Sequence, residues 1–211
     1  MKDGMIMLEE KKTAQYCHEL TNLWFDRQYL SNHLASIEED EWYVFDCGKT
    51  RWTVQESFDP RLECKNYSWS DFHEELALLF NIPIMPDTML YTSTPVGGTP
   101  PHQDRNRRAV LNFPVNGKFG LDSPQTFFET FDRNTLKYTM PYEKSKLTDE
   151  LAPWLFKGQQ IHGVTNESDE GRTIITTCWR HNSYEDIKAK IEDGTLINWE
   201  QNKKNKRVRF I

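Results

Sequence analysis

The sequence predicts a mainly β domain, a barrel or sandwich with flanking helices, and three observations carry that expectation. Short runs rich in β-branched and aromatic residues, such as 108–115 and 125–131, recur through the middle of the chain between turn residues, the spacing of sandwiches and barrels. Helical periodicity is confined to the two ends. A polar turn at 166–171 separates two further β-rich stretches, so the chain reverses there.

The elements follow in order. Tyr16, Leu20, Leu23 and Trp24 fall at i, i+4, i+7 and i+8, which predicts a first helix with one apolar face. Residues 42–45 read as a strand, 47–50 as a turn and 51–54 as its hairpin partner. Ser70 and Asp71 open a second helix that runs to Phe80, with Phe72, Leu76, Leu79 and Phe80 inward, and Pro83 and Pro86 close the region. Strands are expected at 88–92, 108–115, 125–131, 135–140, 155–164 and 172–179. Residues 183–193 read as a closing helix with a Ser183 cap and Asp186 in its first turn. The basic run at 203–209 reads as a solvated, mobile end or a contact for an acidic partner.

A chain of 211 residues fits one domain with a substantial core. Its expected divisions are a helical and hairpin flank at 1–86, a β core at 87–181, and a C-terminal helix with a basic tail at 182–211. Hydrophobic residues make up 37%, but 13% are aromatic and seven are Trp, so the core is expected to rest on a few large rings. A net charge of −6 argues against a general nucleic-acid surface, which needs a basic field. Cys17, Cys47, Cys64 and Cys178 form no Cys-x-x-Cys pair and the first ten residues lack an apolar signal core, which predicts free thiols and a cytoplasmic protein. No apolar run approaches the ~18 residues of a membrane span.

The chemistry concentrates in His102-Gln103-Asp104, His162 and Arg172. On an extended backbone, residues i and i+2 point alike, so His-x-Asp brings two donors to one side. Two imidazoles and a carboxylate can hold one face of an iron(II) ion and leave positions for a chelating substrate and O2. The glycines and prolines of 94–101 lead into the motif and bring backbone close to a site. His162 lies in a strand, the turn at 166–171 folds the chain back, and Arg172 opens the returning strand. The two residues are therefore expected near each other across a hairpin, with the arginine placed to bind an anion beside a metal. His102 and Asp104 alone also fit an imidazole held by a carboxylate, and zinc accepts the same donors, although a zinc site does not require an arginine. His18, His33, His73 and His181 lack a partner spacing and read as surface or capping residues, and Cys178 reads as a small buried residue. Arg105, Arg107 and Arg108 follow the motif directly and either steer an acidic substrate or make an ion pair at a strand end.

With these residues in place, the segment from about residue 88 to 180 resembles the iron(II)- and 2-oxoglutarate-dependent dioxygenases. In that family a His-x-Asp, a distant His and an Arg some ten residues later serve as three iron ligands and the anchor for the far carboxylate of 2-oxoglutarate; here 172 − 162 = 10. Gly158, His162, Val164 and Arg172 match the family's tract, whereas Ile174 stands where many members carry a hydroxyl, with Thr173 and Thr176 as the nearest ones. The resemblance implies a double-stranded β-helix, a cupin-like jelly-roll, with Fe(II), 2-oxoglutarate as cosubstrate, and O2. It implies His102, Asp104 and His162 as metal ligands, Arg172 on the distal carboxylate, and Tyr91 or Asn112 on the near one, with no catalytic residue beyond the ligands. Because Asp104 fills the third protein position, hydroxylation is expected over halogenation. The small size, the Trp-bearing flank (Trp42, Trp52, Trp69) and the lack of a base-reading motif point to an amino-acid or peptidyl substrate, prolyl or Asp/Asn in type. Two other readings stand beside it: a non-catalytic metal-binding cupin-like module, and a nucleobase dealkylase.

Overall fold

Burial on both faces makes the strand at the centre of the molecule recognisable, because a β residue there has no solvent side to alternate towards. That strand, β7 (Ala109–Asn116), is buried at seven of its eight positions. The computed structural model describes residues 16–46, 63–68, 70–85, 90–94, 99–104, 106–116, 125–132, 137–144, 152–165 and 172–211. For 43–46, 63–66, 90–94, 99–102, 125–132 and 137–144, and for Ser70, Thr165 and Arg172, the description is of backbone only.

The arrangement is mixed α/β with antiparallel sheets. Before β7 come β1 (Cys17–Glu19), β2 (Leu23–Phe25), β3 (Tyr43–Asp46), β4 (Glu63–Ser68), β5 (Leu90–Thr94) and β6 (Thr99–His102). After it come β8 (Gln125–Asp132), β9 (Lys137–Lys144), β10 (Trp154–Lys157), β11 (Ile161–Thr165), β12 (Arg172–Trp179) and β13 (Val208–Phe210). The helices are α1 (Arg27–Ala35), α2 (Ser70–Leu79), α3 (Tyr184–Glu192) and α4 (Trp199–Lys204). A seven-stranded sheet has the order β1-β10-β7-β12-β5-β4-β3, a four-stranded sheet the order β6-β11-β8-β9, and β13 pairs with β2. From β5 to β12 the chain therefore visits large, small, large, small, small, large, small and large sheet in turn.

Two apolar clusters cover the faces of the large sheet. Leu111, Phe113 and Val115 of β7 join Leu30 of α1, Phe72, Leu76 and Leu79 of α2, and Ile187 of α3. Phe113 meets Phe25 and Phe72 edge-to-face at 5.6 and 6.4 Å, contacts that contribute about 0.5–1.5 kcal/mol each beyond their buried area. On the opposite face Val110 packs with Cys17, Trp154, Phe156, Ile174 and Cys178. Trp154 and Trp179 are among the largest fully buried side chains, in keeping with a core built on large rings.

Several elements differ from the sequence expectation. The first predicted helix is two short strands, and α1 begins only at Arg27. Leu23 and Phe25 are buried while Trp24 is 39% exposed, a period of two that a spacing of three and four mimics over so few residues. Asp26 then accepts a hydrogen bond from the Tyr29 N–H at 2.9 Å and sets the helix start. β3 lies where expected, but its described partner is β4; the predicted turn and strand at 47–54 lie outside the described residues. β5 and β9 run further along the chain than 88–92 and 135–140. The single strand expected at 155–164 is two strands in different sheets, β10 and β11, separated by a turn at 158–160. The basic tail is not a mobile end: Val208 and Phe210 are buried, β13 pairs with β2, and Arg207 bonds Glu75 and lies over the Tyr29 ring. Agreement is closer for α2 and for α3, whose Ser183 cap accepts from the Asp186 N–H at 3.0 Å. No helix among the described residues is long and apolar enough to cross a membrane.

Candidate metal centre

The pairing of β6 with β11 sets His102 directly opposite His162. Residues paired in this way in an antiparallel ladder are the ones whose side chains share a face at short range. The His102 side chain lies outside the described residues; that of His162 is buried. His162 Nδ1 lies 2.7 Å from the Gln160 carbonyl oxygen. A carbonyl only accepts, so Nδ1 carries a proton, and in the neutral ring Nε2 is then the nitrogen with the lone pair, the tautomer of a metal-ligating histidine. The ring is steadied edge-on by Phe156 at 4.9 Å, a contact that joins the two sheets.

Asp104 does not continue the strand. β6 ends at His102, and two residues later Asp104 sits in a loop whose backbone N–H donates to the Gly158 carbonyl at 2.9 Å. Gly158 N–H donates in turn to the Arg108 carbonyl at 3.2 Å, and Gln103 Nε2 donates to the Gln159 carbonyl at 2.9 Å. The loop carrying Asp104 and the turn leading to His162 are thereby stitched together. The Asp104 side chain is 5% exposed; Oδ1 accepts from Arg107 at 2.6 Å, and Oδ2 lies 3.9 Å from His162 Nε2. A buried carboxylate needs such compensation, because its desolvation is otherwise unfavourable by several kcal/mol.

This geometry suits a metal. With bonds of about 2.0–2.2 Å, two donors at neighbouring positions on one ion stand about 3–3.6 Å apart; the 3.9 Å between Nε2 and Oδ2 is a few tenths of an ångström longer, so the two groups have to draw together slightly to share an ion. Imidazole with carboxylate is a donor set for iron(II) and for zinc. Among the described residues no group of three His, Cys, Asp or Glu is assembled, and the third donor of the predicted set is His102, described by its backbone alone.

The other predicted residues distribute unequally. β11 and β12 lie in different sheets, so His162 and Arg172 are not partners across a hairpin; the segment between their strands, 166–171, lies outside the described residues. Arg172 instead opens β12 opposite Thr94 of β5, in phase with Ile174, Thr176 and Cys178. Asn112 is buried and its Oδ1 accepts from the Thr176 hydroxyl at 2.8 Å. Tyr91 pairs with Ile175 and Tyr67, one step out of phase with Thr176 and Asn112, and Ile175 belongs to the helix-side core. His73 is half-buried and bonded to the Met85 carbonyl, and His33 is half-buried against Tyr67, so neither is the surface or capping residue expected. Sequence reasoning did not find Gln160, Phe156 or the closeness of Gly158 to Asp104. For Arg107 a signal existed, since it lies three residues after Asp104 in a basic cluster.

No family model matches the chain, and no curated protein does. Among solved structures eleven chains match. One is the crystal structure of EvdMO1, 15% identical with a TM-score of 0.35, aligned over 72% of this chain and 42% of that one. The chain thus spans less than half the length of that structure.

Proposed function

We propose that this chain is an iron(II)- and 2-oxoglutarate-dependent oxygenase that hydroxylates an amino-acid or peptidyl substrate. The observation that carries the reading is the buried Asp104–His162 pair, in which the histidine is fixed by Gln160 with Nε2 turned to the carboxylate. His102, opposite His162 in the β6–β11 register, completes the ligand set. The alternation of β5 to β12 between the two sheets supports a double-stranded β-helix, and we take the whole chain as one domain, with 1–86 and 182–211 flanking a core at 87–181.

Bound iron, with 2-oxoglutarate and O2, supplies hydroxylation of a C–H bond, with succinate and CO2 as the other products. The chain's own contribution is binding, orientation and exclusion of water. His102, Asp104 and His162 hold the metal. Arg172 grips the distal carboxylate of the cosubstrate with its planar fork. Thr176 occupies the Asn112 Oδ1, which leaves the amide N–H groups of Asn112 to donate to the near carboxylate; Tyr91 is not given that task, because it shares the register of Ile175. Trp154, Phe156 and Ile174, all buried on the same face, keep the surroundings dry. Cys17 and Cys178 are buried in the apolar face of the large sheet, in keeping with the reducing cytoplasm we propose for this chain.

The test is oxygen-dependent succinate formation by the iron-loaded protein offered free amino acids, peptides and a methylated oligonucleotide. Product on an amino acid or peptide is the expected result. Turnover of the oligonucleotide alone would replace the substrate class with a nucleobase, and no 2-oxoglutarate consumption with any substrate would leave a metal-binding module without catalysis.

A further inference from the structure

We propose that Arg107 is a positioning residue that confines Asp104 to metal binding through a single oxygen, an inference that rests on the metal centre above. A carboxylate can bind a metal through one oxygen or both. Arg107 donates to Oδ1 at 2.6 Å, while Oδ2 is the oxygen turned to His162 Nε2. The guanidinium N–H on Oδ1 takes up one of that oxygen's lone pairs and orients the carboxylate, so that Oδ2 is the oxygen turned to the ion. The restriction matters because three protein donors, a chelating keto acid and O2 together fill an octahedron. A second carboxylate oxygen on the metal would displace a reactant.

Two features make this a built arrangement and not a passing surface pair. The Asp104 side chain is 5% exposed and that of Arg107 32%, so the pair is screened less than a surface one. Arg107 is held by its own backbone, whose carbonyl lies against Gly158 so closely that a Cβ there would fall 2.3 Å from it. Its neighbour Arg108 is exposed and serves the fold through its main chain, donating to the Trp179 carbonyl at 3.0 Å and accepting from Gly158. Arg108 is therefore a like-charged control one residue away.

The experiment is anaerobic titration of the metal-free protein with Co(II), read by calorimetry and by the visible absorption of the bound ion, whose intensity reports ligand number. Arg107→Ala is expected to bind Co(II) about 10–100-fold more weakly, as loss of an outer partner usually does, and to change the spectrum. Arg107→Lys, which restores one N–H to Oδ1, is expected to recover the wild-type spectrum and part of the affinity, whereas Arg108→Ala matches the wild type. If Arg107→Ala does not fold, Arg107→Gln and Arg107→Lys carry the same comparison, with Gln the weaker binder. Wild-type protein that binds no Co(II) overturns the metal centre itself. Variants at 107 that bind within twofold of wild type with its spectrum, or that weaken only as much as Arg108→Ala, overturn the role of Arg107 alone.

Discussion

At Gly158 a methyl group has nowhere to go: a Cβ would lie 2.3 Å from the Arg107 carbonyl, 2.8 Å from Val110 Cγ2 and 3.1 Å from Asp104 Oδ2. Two of these neighbours are backbone and packed core, so the added atom has to part the Asp104 loop from the turn that leads to His162. Gly158→Ala is expected to destabilise the fold by about 1–3 kcal/mol, as overpacking does, and to weaken Co(II) binding at the same time. Thermal melts with and without the metal check this, and a variant unchanged in both shows that the loop yields freely. The residue types of the candidate site were legible in the sequence as His-x-Asp with a distant His and Arg. The relation of Asp104 to Gly158 was not, because it arises where a loop and a turn distant in sequence meet. Tyr91 and Asn112 looked equivalent for a similar reason: a one-residue change of register turns every side chain to the other face, and the register of β5 is set by its partners, not by its own sequence.

Among the elements, β1 gives the clearest titration signal. His18 pairs with Leu155 at the edge of the large sheet, and its pKa is lowered from 6.5 by burial first and by Lys188 second, with Glu192 and Glu19 opposing. The folded state thus favours neutral His18, and the stability this gives is present above pH 6.5 and lost as pH falls through the lower folded value. Urea unfolding on either side of pH 6.5 is expected to show the decline, and His18→Gln to flatten it; a variant with the same pH slope as wild type removes His18 as the source. This strand was also where the sequence misled most. Three-residue strands joined by a two-residue turn carry too few positions for period two to be told from a helical repeat. The longer elements, α2 and β7, were legible because their patterns extend over eight or more residues. The break between β10 and β11 was hidden because β-forming residues stand on both sides of it; the turn is closed by the Gln160 N–H donating to the Lys157 carbonyl at 3.0 Å, with Gly158 packed against Arg107.

Across the whole molecule, the C-terminal segment returns to the N-terminal one. Phe210 is buried against Phe80 at 6.5 Å, and its backbone exchanges two hydrogen bonds with the Asn202 side chain, at 2.9 and 2.7 Å. Phe210→Ala is expected to lower unfolding stability by about 3–5 kcal/mol, the range for a buried phenylalanine; a loss near zero in urea titration would mean that β13 is not part of the cooperative fold. The same scale joins fold to function, because the His162–Phe156 contact links the small sheet to the apolar face of the large one. The role proposed for His102, Asp104 and His162 is to hold a metal whose open positions accept 2-oxoglutarate. It is tested most directly by anaerobic titration of the iron(II)-loaded protein with 2-oxoglutarate, followed by visible spectroscopy. The expected result is the weak visible band of an iron-chelated keto acid in the wild type, its loss in His162→Ala, and a much higher 2-oxoglutarate requirement in Arg172→Ala. A wild type without the band, or a His162→Ala protein that keeps it unchanged, would contradict that role.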